Sequence, residues 1–159
     1  MGRRRTWLQS LRLKAINFYP PFVGAGIRVT EMRPAEGSIR VRMKLHWWNR
    51  NYFGTHYGGS LYSMCDPFFV LILAQRLGRD YIVWDKAAEV RFVRPGKGTV
   101  EAHFRITGDQ VEELRQQAES ADKVEPTFVA EVLDDQGELV AQVEKRLYIR
   151  KKSASGSPS

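Results

Sequence analysis

The spacing of apolar residues divides the chain into a helix, two strands, a second helix and four further strands. Over residues 6–18, Trp7, Leu8, Leu11, Ala15 and Phe18 recur at helical spacing, Arg12 and Lys14 lie off the stripe, and Pro20-Pro21 stops it. Such an amphipathic face either packs on a domain or lies on a membrane surface. Residues 26–33 form a weak strand. Residues 38–47 form a strong one, in which Ile39, Val41, Met43, Leu45 and Trp47 alternate with Arg40, Arg42, Lys44 and a surface His46. Pro34–Gly37 is turn material between them. Residues 81–94 form a long strand, with Ile82, Trp84, Lys86, Ala88, Val90 and Phe92 on the apolar side and Asp85, Glu89 and Arg91 opposite. After the turn at Pro95–Gly98, residues 99–107 put Val100, Ala102, Phe104 and Ile106 inside and His103 outside. Residues 109–121 read as a polar surface helix. Residues 127–134 and 138–150 read as a hairpin about Asp135-Gln136-Gly137, with Phe128, Ala130, Val132, Leu139, Ala141, Val143, Leu147 and Ile149 facing in.

The second helix, over 59–77 with Gly78 closing it, breaks the pattern: it is apolar on nearly every side. A helix apolar all round is buried all round, so the other elements wrap it. The wrapper this order predicts is one antiparallel sheet curled around a long central helix, an α+β architecture. The helix carries one acid, Asp66, and a buried carboxylate is costly unless paired or used. Before it, residues 48–57 crowd Trp48, Asn49, Asn51, Tyr52, Phe53 and Tyr57 onto a loop. So many rings need a cover: a partner subunit, the helix or an apolar ligand.

Composition changes this picture little. With 159 residues, 43% hydrophobic and 27% charged, the chain fits one soluble domain over 21–150, an amphipathic segment over 1–20 and a disordered basic tail over 151–159. The net charge of +7 gathers at Arg3–Arg5, Arg12, Lys14 and Arg150–Lys152. Basic ends favour anionic surfaces such as a membrane. No module for reading a specific nucleic acid is present. The single Cys65 excludes an internal disulfide, fits a reducing, cytoplasmic compartment, and in a buried helix is a small hydrophobe rather than a nucleophile. Three histidines and one cysteine without ligand spacing predict no metal site.

The order of elements, with a glycine pair leading a helix that bears an acid seven residues later, resembles the hotdog-fold acyl-CoA thioesterases. It resembles still more the hotdog-like domain family of unknown function grouped with them. The resemblance spans residues 20–150 and rests on Asn51–Tyr62, Asp66-Pro67-Phe68, Tyr81–Ala88 and Arg94-Pro95-Gly96. It implies a hotdog fold, a homodimer or homotetramer, and hydrolysis of an acyl-CoA or other acyl thioester at a dimer-interface site, with no cofactor or metal. Gly58 and Gly59 match the pair whose N–H groups polarise the thioester carbonyl. Asp66 matches the acid that activates water or attacks directly, and Asn51 an asparagine that touches substrate. Two residues depart from the signature: Tyr57 stands in place of its histidine, with His56 one position earlier, and Pro67 follows the acid.

Helix geometry constrains that chemistry. Seven residues are about two turns, so Gly59 and Asp66 share a face about 10 Å apart, too far to meet at one carbonyl. Antiparallel helices from two subunits would bring Asp66 of one opposite Gly59 of the other. Tyr62 and Ser63 share the face and are candidates to hold water or substrate, with His56, Tyr57 and Lys86. Each has a structural alternative. Asp66-Pro67 makes a good cap for a second helical segment after a kink, Gly58-Gly59 a helix-start turn, and His56 a loop histidine. Lys86 and Lys145 fall on apolar faces as strand-end charges or phosphate ligands, and Lys86 could instead pair with Asp66 or Asp85. Arg91, Arg94 and Lys97 read as a solvated edge or as contacts for coenzyme A phosphates. Beside the thioesterase reading stand a non-catalytic acyl-binding or acyl-CoA-binding module, a hotdog dehydratase built on His56, and a scaffold with basic ends.

Overall fold

The computed structural model describes residues 15–152. The expected helix over 6–18 therefore falls mostly outside the described residues, as does the expected tail beyond Lys152. Pro20-Pro21, expected as a stop, also starts a short helix, α1 (Pro20–Ala25), with proline in its first turn. There follow β1 (Ile27–Arg33), a 3-10 turn (Pro34–Glu36) and β2 (Ser38–Lys44). Gly37 closes the turn at φ 80°, and a Cβ there would stand 2.1 Å from the Ile106 carbonyl oxygen, so only glycine fits. β2 ends three residues sooner than the alternation suggested, which leaves Trp47 exposed rather than inside.

The central helix is two helices, α2 (Gly58–Ser63) and α3 (Phe68–Leu77). Between them the chain tightens, Cys65 N–H donating to Tyr62 O and Asp66 N–H to Ser63 O three residues back. Proline at 67 has no N–H to continue an α ladder, which accounts for the break. Then come β3 (Tyr81–Phe92), β4 (Thr99–Arg105), α4 (Gly108–Ser120), β5 (Thr127–Asp134) and β6 (Leu139–Lys151). A capping box between Thr107 and Gln110 starts α4, whose Val111, Leu114 and Ala118 are buried, so this helix is less peripheral than its polar composition suggested.

The six strands form one antiparallel sheet in the order β1-β2-β4-β5-β6-β3. Its inner face is apolar: Ile39, Val41 and Met43 on β2, Val100, Ala102 and Phe104 on β4, and Val143, Leu147 and Ile149 on β6 are all buried. α3 lies on it through Phe68, Phe69, Ile72 and Leu73. A chain of rings ties helix to sheet: Phe22 to Phe68 (6.0 Å), Phe68 and Phe69 to Phe104 (5.0 and 5.2 Å), and Phe69 to Phe128 (5.1 Å).

β3 corrects the sequence reading. Asp85 pairs with Leu147 and Ala87 with Arg146, so Lys86 is an extra residue, a β-bulge. Before the bulge the odd positions Val83 and Asp85 stand opposite buried Ile149 and Leu147; after it the even positions Ala88 and Val90 stand opposite buried Lys145 and Val143. Asp85 thus faces inward rather than outward, and Trp84 lies on the outer side, stacked on Tyr148 at 4.4 Å. β3 is also an edge of the sheet.

Phe104 is fully buried at the junction of both α3 phenylalanines. Phe104→Ala should destabilise the protein by about 3–5 kcal/mol, read as a lower urea midpoint with an unchanged denaturant slope.

Candidate active site

Lys145 is the one charged residue with no exposure among the described residues. It points from β6 into the core, opposite Phe128 of β5 and Ala88 of β3. An ammonium so placed needs partners, and it has them. Its Nζ donates to Asp66 Oδ1 at 2.9 Å, to Asp85 Oδ1 at 3.0 Å and to the Tyr62 hydroxyl at 3.3 Å, and it lies 5.1 Å from the centre of the Tyr62 ring. The Tyr62 hydroxyl in turn donates to Asp66 Oδ1 at 2.7 Å. Three elements meet here: the end of α2 with the break, β3 and β6. The carboxylates remain open to water, their side chains 47% exposed for Asp66 and 31% for Asp85.

The balance of burial and charge differs around the cluster. At Asp66 burial alone would raise the pKa, but hydrogen bonds from Lys145 and Tyr62, with the lysine's charge, outweigh it and the pKa falls below its usual value. At Asp85 burial, helped by the charge of Asp66, outweighs Lys145 and the pKa rises. Burial pulls Lys145 down, but its two acids more than compensate and hold it charged. Burial, with the acceptor at Asp66, pushes Tyr62 up, so its hydroxyl keeps its proton. Burial pushes the neighbouring Cys65 thiol up to about 12, which leaves it no nucleophile near neutral pH.

Asp66 is therefore not a helix cap. α3 starts at Phe68, after Pro67, without a side-chain cap bond, and the Asp66 carboxylate turns to Lys145 and Tyr62 instead. It also borders a groove of about 410 Å³ between α1 and the helix break, lined by Tyr19, Phe22, Tyr62, Ser63, Pro67 and Leu71. The Ser63 hydroxyl donates back to Gly59 O at 2.8 Å.

Gly58 and Gly59 open α2, and their N–H groups have no protein acceptor among the described residues. Both glycines are also packed against: a Cβ on Gly58 would sit 3.0 Å from the Phe92 ring, and one on Gly59 2.5 Å from the Tyr57 ring. Tyr57, the residue before α2, thus spends its ring covering Gly59, with much of it still exposed.

Other candidates are tied up in structure. Asn51 is saturated within its loop, its Nδ2 donating to Thr55 Oγ1 (2.9 Å) and His56 O (3.2 Å), its Oδ1 accepting from Phe53 and Thr55 N–H. His56 is buried, and its Nε2 lies 3.1 Å from Gly98 O; a carbonyl only accepts, so Nε2 carries the proton and Nδ1 is left without a partner. Burial lowers the His56 pKa against the raising effect of that bond, so the ring is neutral. Both residues line a surface hollow of about 420 Å³ with Phe53, Leu61, Phe92 and Pro95. Lys86, on the bulge, pairs with Glu125 at 2.6 Å and not with Asp66 or Asp85. Arg94 pairs with Asp134. A surface hollow of about 610 Å³ between Arg42, Glu101, His103, Glu131 and Asp134 is on the outer face of the sheet, away from Asp66.

Sequence reasoning weighed Lys145 only as a strand-end charge or phosphate ligand and set Asp85 on the outer face, so it did not bring either to Asp66. The signal for Lys145 was its place on an apolar strand face; Asp85 was hidden by the bulge. Among the described residues, no group of three or more His, Cys, Asp or Glu stands close enough to hold a metal ion. No helix there is long and apolar enough to cross a membrane.

A six-stranded antiparallel sheet packed on a Gly-Gly-led helix is the hotdog fold. The chain belongs to the family described as Domain of unknown function (DUF4442), whose model matches residues 7–149. Among solved structures it is similar to a protein of unknown function from Pseudomonas aeruginosa, PA5026, named as a probable thioesterase: 24% identity, 89% of this chain and 95% of that one covered, TM-score 0.79. It is similar also to the thioesterase HI1161 from Haemophilus influenzae (14%, 87% and 88%, TM-score 0.62). A third is the PaaI protein of E. coli, from the phenylacetic acid degradation operon (18%, 92% and 98%, TM-score 0.59). At these identities the likeness is one of fold. No curated protein sequence matches the chain.

Replacing Lys145 by methionine should invert part of the pH dependence of stability. Without the ammonium, two neighbouring carboxylates face burial and each other, so both folded pKa values rise above the unfolded value near 3.8. A raised acid contributes stability that is present at low pH and lost as pH rises through the folded pKa. Urea midpoints of Lys145→Met should therefore climb as pH falls from 7 toward about 4 relative to wild type; a constant offset would contradict the pairing.

Proposed function

We propose that the chain is a hydrolase of acyl thioesters, coenzyme A esters in particular, acting without metal or cofactor at a site shared by two copies. The observation that carries this is the Asp66 carboxylate, held ionised and half exposed at a break in the central helix, with unpaired N–H groups at Gly58 and Gly59 at the start of the short helix before it. Thioester hydrolysis needs such a pair: donors for the developing oxyanion and a carboxylate near the carbonyl carbon. About two turns separate them, so they meet only if a second copy lies antiparallel. The edge position of β3 favours such pairing. So do the exposed rings at Tyr52 (97%), Phe53 (84%), Trp47, Trp48 and Tyr57, which need a cover. In this reading the carbonyl oxygen accepts from Gly58 and Gly59, and Asp66 serves as general base or nucleophile. Tyr62 and Ser63 border the approach. The hotdog neighbours with thioesterase names lend the same direction.

A non-catalytic acyl-binding module is the second reading. It is favoured by the occupation of Asp66 Oδ1 by Lys145 and Tyr62 together, which weakens the carboxylate as a base. A dehydratase would need an accessible histidine facing an acid, and the buried His56, bonded to Gly98, is poorly suited. We place the protein in a reducing cytoplasm on its lone, buried cysteine, and leave contact with anionic membranes to its basic ends.

On a panel of acetyl-, hexanoyl-, palmitoyl- and phenylacetyl-CoA, followed by release of free thiol, wild type should turn over at least one ester. Asp66→Asn should lose about 100-fold or more of kcat, and sedimentation should show a dimer or tetramer. No turnover above background, or full activity in Asp66→Asn, would exclude the enzymatic reading.

A further inference from the structure

The cluster holds one carboxylate more than it needs. A buried lysine requires a single counter-ion, yet Lys145 is met by two acids, so the group is left with a net negative charge. The three hydrogens of an ammonium are matched by three oxygens, on Asp66, Asp85 and Tyr62. The extra residue at Lys86 lets Asp85 and the later positions Ala88 and Val90 face the same side: strict alternation through β3 would turn outward either Asp85 or Ala88 and Val90. Bulges re-aim side chains in this way, often beside active sites. Both carboxylates stay partly open to water.

We propose that Asp85 is a second catalytic residue of the thioester site, the acceptor of the proton from the attacking water, and that Lys145 is the positioning residue that holds it beside Asp66. This rests on the hydrolytic reading above. Within that reading Asp85 replaces Asp66 as the general base, and Asp66, tied through Oδ1 to Lys145 and Tyr62, is the fixed anion that orients the water. The water gives one proton to the Asp85 carboxylate while its oxygen bonds to the thioester carbon. The carbonyl electron pair moves to the oxyanion at Gly58 and Gly59. Its return breaks the C–S bond, and the proton held by Asp85 passes to the departing sulfur. The products are a carboxylic acid and a thiol, and no other reactant is consumed. The opposite pKa shifts of the two acids agree with this division: the one displaced upward takes the proton. The charged groups acting on Asp85 are Lys145, which donates to it, and Asp66; on β5 the residue opposite Lys145 is the apolar Phe128.

The test uses the full chain and whichever ester of the four-member panel wild type hydrolyses fastest, with kcat and KM measured from about pH 4 to 8. Asp85→Asn should lose about 100-fold in kcat, with KM within about threefold, and should lose the acidic limb of the profile. Lys145→Met should keep an acidic limb but move it upward, because removing the cation raises the carboxylates; a merely structural lysine would lower activity without moving the limb. Should Asp85→Asn melt below the assay temperature, Asp85→Ala is assayed with added formate, and a tenfold or greater rescue is expected. Asp85→Asn within threefold of wild type with an unchanged profile, or a folded Asp85→Ala that formate fails to rescue, overturns the assignment and leaves the thioesterase reading standing. A wild type inactive on the whole panel ends both.

Discussion

One ammonium, Lys145, joins the two layers of this protein at the break in the central helix. It rises from a sheet face that is apolar on either side and satisfies its charge at the break in the central helix. The aromatic contacts among Phe22, Phe68, Phe69, Phe104 and Phe128 supply bulk attraction between helix and sheet. Such attraction is non-directional. The lysine is directional: it fixes which turn of the helix lies over which residue of β6, and it draws Asp85 on the edge strand into the same arrangement. A buried ion pair is weak support for stability in itself. Its value here is registration of three elements that come from distant parts of the chain.

That registration shapes the chemistry. A carboxylate at a helix break, if left alone, would be free to cap the following helix. Holding Asp66 by Lys145 and Tyr62 keeps it ionised and turned away from the Phe68 and Phe69 amides. The same hold makes it a poorer proton acceptor, which is why a second acid with an upward-shifted pKa matters to the functional reading. The glycines are likewise under two demands: they open the helix with unpaired N–H groups, and the rings of Tyr57 and Phe92 leave no room for larger side chains. Packing alone accounts for the glycines, whereas packing alone does not call for two acids on one lysine.

Much of the fold was legible in the sequence because its strands obey strict alternation. β2 as far as Lys44, β4 and the β5–β6 hairpin place their apolar residues as the pattern says, and the sheet-around-helix arrangement follows from a helix apolar on nearly all sides. The site was only partly legible. Asp66 stood out as a lone acid in an apolar helix, and Lys145 as a lone charge on an apolar strand face, but nothing local joins residues 79 positions apart. Lys86 was a misleading neighbour: alternation put it on the inner face, and only cross-strand pairing reveals that it is the bulged residue, paired outward with Glu125. Asn51 and His56 looked like site residues because they are polar and close to the glycine pair. The polarity of Asn51 is consumed in closing the loop, and His56 spends its backbone N–H and Nε2 on the turn at Gly96–Gly98.

The bulge at Lys86 also sets how variation along the edge strand is to be interpreted in relatives of this chain. It divides β3 into two stretches that are out of phase, so a polar residue at an even position is unremarkable before it and disruptive after it. A comparison that ran a single period through the whole strand would misjudge half of it. Loss of one residue there would do more than shorten the strand: it would bring the two stretches into phase and force the chain to give up either the acid beside Lys145 or the apolar contacts that follow. The edge of the sheet thus carries a frame, and the acid and the apolar positions after it keep their places together only while the frame is kept.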